Sequence, residues 1–61
     1  MEFSVKIMLN NAAYSGDSLA PELCANLDQV ILKIAHGARN GAVHDSNGNK
    51  TGFFEINHTG E

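Results

Sequence analysis

Asp45, Asn47 and Asn49 put an oxygen-bearing side chain at every second position of DSNGNKTG, residues 45–52, a segment that also holds Gly48, Lys50 and Gly52. Carboxylate and amide oxygens so spaced open an EF-hand calcium loop, where they occupy loop positions one, three and five. The pattern then stops. Lys50 stands at position six, where the calcium turn needs glycine, and Ile56 at position twelve, where a bidentate glutamate belongs; Glu55 comes one residue early. A phosphate loop fits no better, because it requires GxxxxGK followed by Ser or Thr between a strand and a helix. Asn47-Gly48 is instead the dipeptide of a two-residue hairpin turn with positive φ at both positions. Asp45, Asn47, Gly48, Asn49 and Gly52 are therefore read as structural turn residues.

The remaining reactive side chains do not converge in sequence. Zinc needs four ligands, or three and a water. Cys24 and His36 are twelve residues apart within one expected helix, too far to share a small site, and His58 falls near the C-terminus. Ser18, Cys24 and Thr51 are nucleophile types, but none carries the paired base and orienting group that activation demands. The acids form no paired-carboxylate pattern. No catalytic residue, metal ligand or cofactor is assigned, and the expectation is a protein that is not an enzyme.

Sixty-one residues form one small domain. A chain of this size buries only about 60% of its unfolded surface, and with a single cysteine it has no internal disulfide to compensate. Self-association is the other source of burial, a dimer being its simplest form. Four basic against seven acidic residues give a net charge of −3 at pH 7, which disfavours nucleic acid as a partner. The opening MEFSVKIML has an acid at position 2 and no basic leader, so it reads as a strand and not as a signal segment. No run approaches the roughly 20 apolar residues of a membrane span. A cytoplasmic protein is expected.

Phe3, Val5, Ile7 and Leu9 alternate with Glu2, Ser4, Lys6 and Met8, the period of a strand with one buried face. Tyr14 follows in a turn-like connector, as an apolar plug or an exposed anchor. A helix is expected over residues 19–36, started by Asp17 or Ser18, with Pro21 in its first turn and Gly37 as its stop. Leu23, Leu27, Val30, Ile31 and Ile34 make its apolar stripe, joined by Leu19 or Ala20. Glu22, Asn26, Gln29 and Lys33 make its wetter side.

Residues 41–45 and 50–56 read as a hairpin in which Ser46 pairs with Asn49, Asp45 with Lys50 and Val43 with Gly52. Val43, Phe54 and Ile56 then face the helix, whereas Ala42, His44, Thr51 and Phe53 point away. With Met8, those four outward residues are the candidate protein interface. The order strand–helix–strand–strand gives a small two-layer α/β (α+β) domain, one helix on a three-stranded sheet. A right-handed crossover sets the first strand parallel to one hairpin strand. Residues 57–61 read as a flexible tail.

The segments NNAAY, ELCANLDQVILKIAHG and GAVHDSNGNKTGFFEI together resemble a group of short accessory proteins carried by bacteriophages, prophages and plasmids, over the span Val5 to Ile56. The resemblance carries no enzymatic residue set. It implies a protein that occupies a host or defence protein in the bacterial cytoplasm, as an accessory or inhibitor. The expected function is thus a noncatalytic protein-interaction module. A small nucleic-acid-binding protein, using Lys6, Lys33, Arg39 and Lys50, and a structural homodimer are the alternatives.

Overall fold

The computed structural model describes residues 1–58. Strand β1 (Glu2–Ile7) is followed by single-turn 3₁₀ helices at Ala12–Tyr14 and Gly16–Ser18, helix α1 (Leu19–Ala35), strand β2 (Asn40–His44) and strand β3 (Lys50–Asn57). One helix on a three-stranded sheet is the expected α+β architecture. The sheet order is β1-β3-β2, with β3 antiparallel to both neighbours. The first strand therefore runs parallel to β2, yet its bonded neighbour is β3, in antiparallel pairing. The crossover rule fixes a direction; it does not prevent the last strand from inserting between the two parallel ones.

Alternation in β1 sets Phe3, Val5 and Ile7 opposite Ile56, Phe54 and Gly52. Gly52 is required here by proximity: a Cβ would meet the Lys6 carbonyl oxygen and come within 3.0 Å of Ile7 Cα. Gly52 is thus a strand residue, where a turn role was expected. The core is small: Val30, Val43 and Phe54 are buried together, with Ile7, Ile34 and Ala38 packed around them.

The hairpin tip departs from the expected register. Gly48 N–H donates to the Asp45 carbonyl (3.0 Å) and Asp45 N–H to the Asn49 carbonyl (2.9 Å), which leaves Ser46, Asn47 and Gly48 as a three-residue loop. Of these three residues only Gly48 has positive φ, at 85°. This is the turn-plus-glycine loop, not the two-residue turn with Asn47 also left-handed. His44 consequently faces Lys50, and a bulge at Thr51 restores the expected pairing of Val43 with Gly52.

Helix α1 begins directly from the second 3₁₀ turn, and Ser18 makes no side-chain cap. It ends at Gly37 with Gly37 N–H bonded to the Ile34 carbonyl and Ala38 N–H to that of Lys33, each at 2.9 Å. Strand β3 continues through Asn57, and His58 lies against Arg39. The tail assigned to 57–61 thus begins no earlier than His58, and residues 59–61 lie outside the described residues.

Candidate functional site

Besides the apolar contact of Val30 and Ile34, the helix meets the sheet through a polar stripe. Glu22, Asn26, Gln29 and Lys33 recur at spacings of four, three and four, so they share one side of α1. That side lies against the outer edge of β2. Gln29 Oε1 accepts from His44 N–H (3.1 Å) while Gln29 Nε2 donates to the His44 carbonyl (2.5 Å), and Lys33 Nζ donates to the Ala42 carbonyl (2.6 Å). Glu22 Oε2 accepts from Ser46 N–H at 2.9 Å. An edge strand's unpaired amides and carbonyls invite another strand; here the helix's own side chains take both His44 groups and the Ala42 carbonyl.

Asn26, expected on the wet side, is fully buried. It survives there because its amide is bonded: Oδ1 accepts from the Tyr14 hydroxyl (2.5 Å), and Nδ2 lies 3.4 Å from both Glu22 Oε2 and the His44 carbonyl. Tyr14 is the buried plug of the two alternatives. Its oxygen also lies 2.8 Å from Thr51 Oγ1. A phenol has one proton and Asn26 Oδ1 can only accept, so the Thr51 hydroxyl supplies the proton of the second bond. Thr51 is therefore a mostly buried residue whose hydroxyl is tied to Tyr14 next to the bulge, although it still lines the floor of the hollow that holds Met8 and Phe53.

Asp45 is also buried and acts as the acceptor that organises the hairpin tip. Oδ1 accepts from the N–H groups of Asn47 and Asn49, both at 2.9 Å; Oδ2 accepts from the amides of Asn11 (2.8 Å) and Asn49 (3.3 Å). Desolvation by burial pushes its pKa up. The bonds from Asn49 N–H, Asn11, the Asn49 amide and Asn47 N–H outweigh that and leave it below the ordinary aspartate value. The Asp45 carboxylate that opened the calcium-like pattern is thus engaged in closing a turn.

Cys24, His36, His44 and His58 are exposed and separate. Among the described residues no three His, Cys, Asp or Glu side chains converge as metal ligands, and no helix is long and apolar enough to cross a membrane.

What remains is surface. Met8 and Phe53, 51% and 44% exposed, line one shallow hollow on the helix-free sheet face with Lys6, Lys50, Thr51 and Gly52. Lys50 Nζ sits 5.7 Å from the centre of the Phe53 ring. Ala42, half-buried, lies beside Phe53 as its strand partner, while the exposed His44 side chain sits at the hairpin end. Of the five candidate interface residues, the structure groups Met8, Phe53 and Thr51 in one hollow with Ala42 beside Phe53, and Thr51 is the one among them whose side chain is buried.

A second apolar surface went unread in the sequence. Because α1 leans on β2, it leaves β1 uncovered: Phe3 is 51% exposed and Val5 is exposed in the strand, while Ile31, 61% exposed, and Leu27 are exposed on the helix. Phe3, Ile34 and Ile56 line a further hollow on this flank. The clue was quantity, since Leu27, Ile31 and Leu32 give the helix more apolar circumference than three short strands can cover. Comparison with protein-family models, with curated proteins and with solved structures finds no match for this chain.

Proposed function

We propose that this protein is a noncatalytic protein-interaction module whose contact surface is the helix-free sheet face around Phe53 and Met8. The observation that carries this reading is that both side chains are exposed in one hollow, Phe53 on the central strand β3 and Met8 just past the end of β1, where its N–H still bonds the Thr51 carbonyl. A large aromatic on a preformed strand loses little freedom on binding, and such side chains supply much of the energy of protein interfaces. The resemblance to mobile-element accessory proteins supports a host or defence protein in the bacterial cytoplasm as the target, with an accessory or inhibitory role. Retention of proteins from a bacterial lysate on immobilised wild type and Phe53→Ala, both shown folded by their amide spectra, tests the reading. Selective loss of a retained protein with Phe53→Ala is expected. Identical retention by both proteins would contradict it.

One arrangement favours a second reading. Lys6 and Lys50 flank Phe53 in the same hollow, and cations beside an aromatic platform suit a single-stranded nucleic acid. Of the other two cations, Lys33 is bonded to the Ala42 carbonyl and Arg39 to His58, so the basic surface is narrow. Salt-sensitive oligonucleotide binding that is lost in Lys50→Ala would select this alternative.

A further inference from the structure

The two edges of the sheet are not equivalent, and the open one has a defined pairing code. Met8 N–H donates to the Thr51 carbonyl at 2.8 Å. Antiparallel pairs alternate between bonded and non-bonded, so in the β1–β3 register Lys6, Ser4 and Glu2 bond β3. Phe3, Val5 and Ile7 then direct their N–H and C=O groups to the outer edge. Among the described residues no side chain reaches them in the way that Gln29 and Lys33 reach β2.

We infer that this edge is occupied by β1 of a second copy of the chain, antiparallel, with the two-fold axis at Ser4. Only even-sum registers let the outward groups of both strands bond each other, because Phe3, Val5 and Ile7 must meet odd-numbered partners. Centring at Glu2 or Lys6 sets like charges opposite each other, and centring at Phe3 or Val5 pairs no charges at all. Centring at Ser4 sets Glu2 opposite Lys6 of the second copy, twice by symmetry, in the closely spaced non-bonded positions. Phe3 and Val5 of each copy then face Val5 and Phe3 of the other, an aromatic–β-branched match on the flank that α1 leaves bare. Among the described residues neither Glu2 nor Lys6 has a charged partner within its own chain, so the complementarity is directed outward. The product is a continuous six-stranded sheet with both Phe53 hollows on one face. It adds burial to a core whose centre is Val30, Val43 and Phe54.

This inference stands independently of any partner at Phe53, and the two fail separately. Sedimentation equilibrium of the full chain over a wide concentration range provides the test, using wild type, Glu2→Lys, Lys6→Glu and the double exchange. A reversible monomer–dimer equilibrium is expected. Each single variant opposes like charges at two symmetric positions and should weaken the dimer about tenfold, whereas the double exchange restores it. Val5→Pro removes an outward N–H without touching the β1–β3 bonds, and should give a folded monomer; if it unfolds, the charge-exchange set decides alone. A chain that stays monomeric at millimolar concentration, or a dimer indifferent to both single exchanges, would overturn the inference.

Discussion

The β2 and β1 edges of this sheet face the same physical problem and meet it differently. At β2 the helix presents an amide and an ammonium at helical spacing that bond the strand's outer backbone at His44 and Ala42, and nearer the helix N-terminus a carboxylate that bonds the adjoining hairpin loop at Ser46. At β1 nothing comparable exists among the described residues, and Phe3 and Val5 of the strand stay exposed, as do Leu27 and Ile31 of the helix. One helix cannot do both jobs. Leaning its polar stripe onto β2 draws its hydrophobic stripe away from full burial, so sealing one edge creates the sticky flank at the other.

The largest expected effect is on the open side. Gly52→Ala would drive a Cβ into the Lys6 carbonyl and force β1 away from β3. A loss of about 3 kcal/mol is expected, at the upper end for overpacking, read by denaturant unfolding. Loss of β1 protection with the hairpin intact would show that β1 depends on β3 alone.

Next comes the network beneath the sealed edge. Tyr14→Phe leaves the buried Asn26 Oδ1 without its donor, at a cost of about 2 kcal/mol for an unsatisfied buried acceptor. Replacement of Asn26 by leucine together with Tyr14→Phe should recover part of that loss in a double-mutant cycle.

Gln29→Ala and Lys33→Ala unseal β2. Each should cost about 1 kcal/mol, the usual value of an intramolecular hydrogen bond. The informative readout is association: with both edges exposed, light scattering should report species larger than a dimer. No change in size would remove the sealing role from these side chains.

Acid should act more gently, at the hairpin tip. The Asp45 pKa is lower in the folded chain than the ordinary value near 4. The stabilisation it contributes is therefore complete above about pH 4 and falls away as the pH drops through the lower folded-state pKa. Asn11→Ala removes one of the lowering bonds, and should move that loss to higher pH in a carboxylate titration by NMR.

Much of this fold was legible. The alternation of Phe3, Val5 and Ile7, the helical periodicity of Leu23 to Ile34 and the Asn-Gly turn each report local geometry, and each element appears where its pattern lies. The insertion of β3 between β1 and β2 was not legible, because a pairing between distant segments leaves no periodicity behind. The hairpin tip was misread for a local reason: the Asp45 carboxylate caps two N–H groups, and the three-residue loop uses that acceptor where a two-residue turn would not. Beside the resulting bulge, Thr51 is tied into the Tyr14–Asn26 network and mostly buried beneath the hollow in which Phe53 and Met8 are exposed. Asn26 looked wet because burial of an amide depends on partners from Tyr14 and β2, which hydrophobic periodicity does not weigh. Phe3 and Val5 looked buried because alternation identifies a face without saying how far the helix extends over it.

Residue-resolved amide hydrogen exchange across a dilution series tests the contrast between the edges most directly. His44 N–H, held by Gln29, should be protected to the same degree at every concentration. Phe3 and Val5 N–H should exchange readily when dilute and gain protection as the protein is concentrated. Protection of Phe3 and Val5 that ignores concentration, or rapid exchange at His44, would contradict a sheet sealed on one side and open to a second copy on the other.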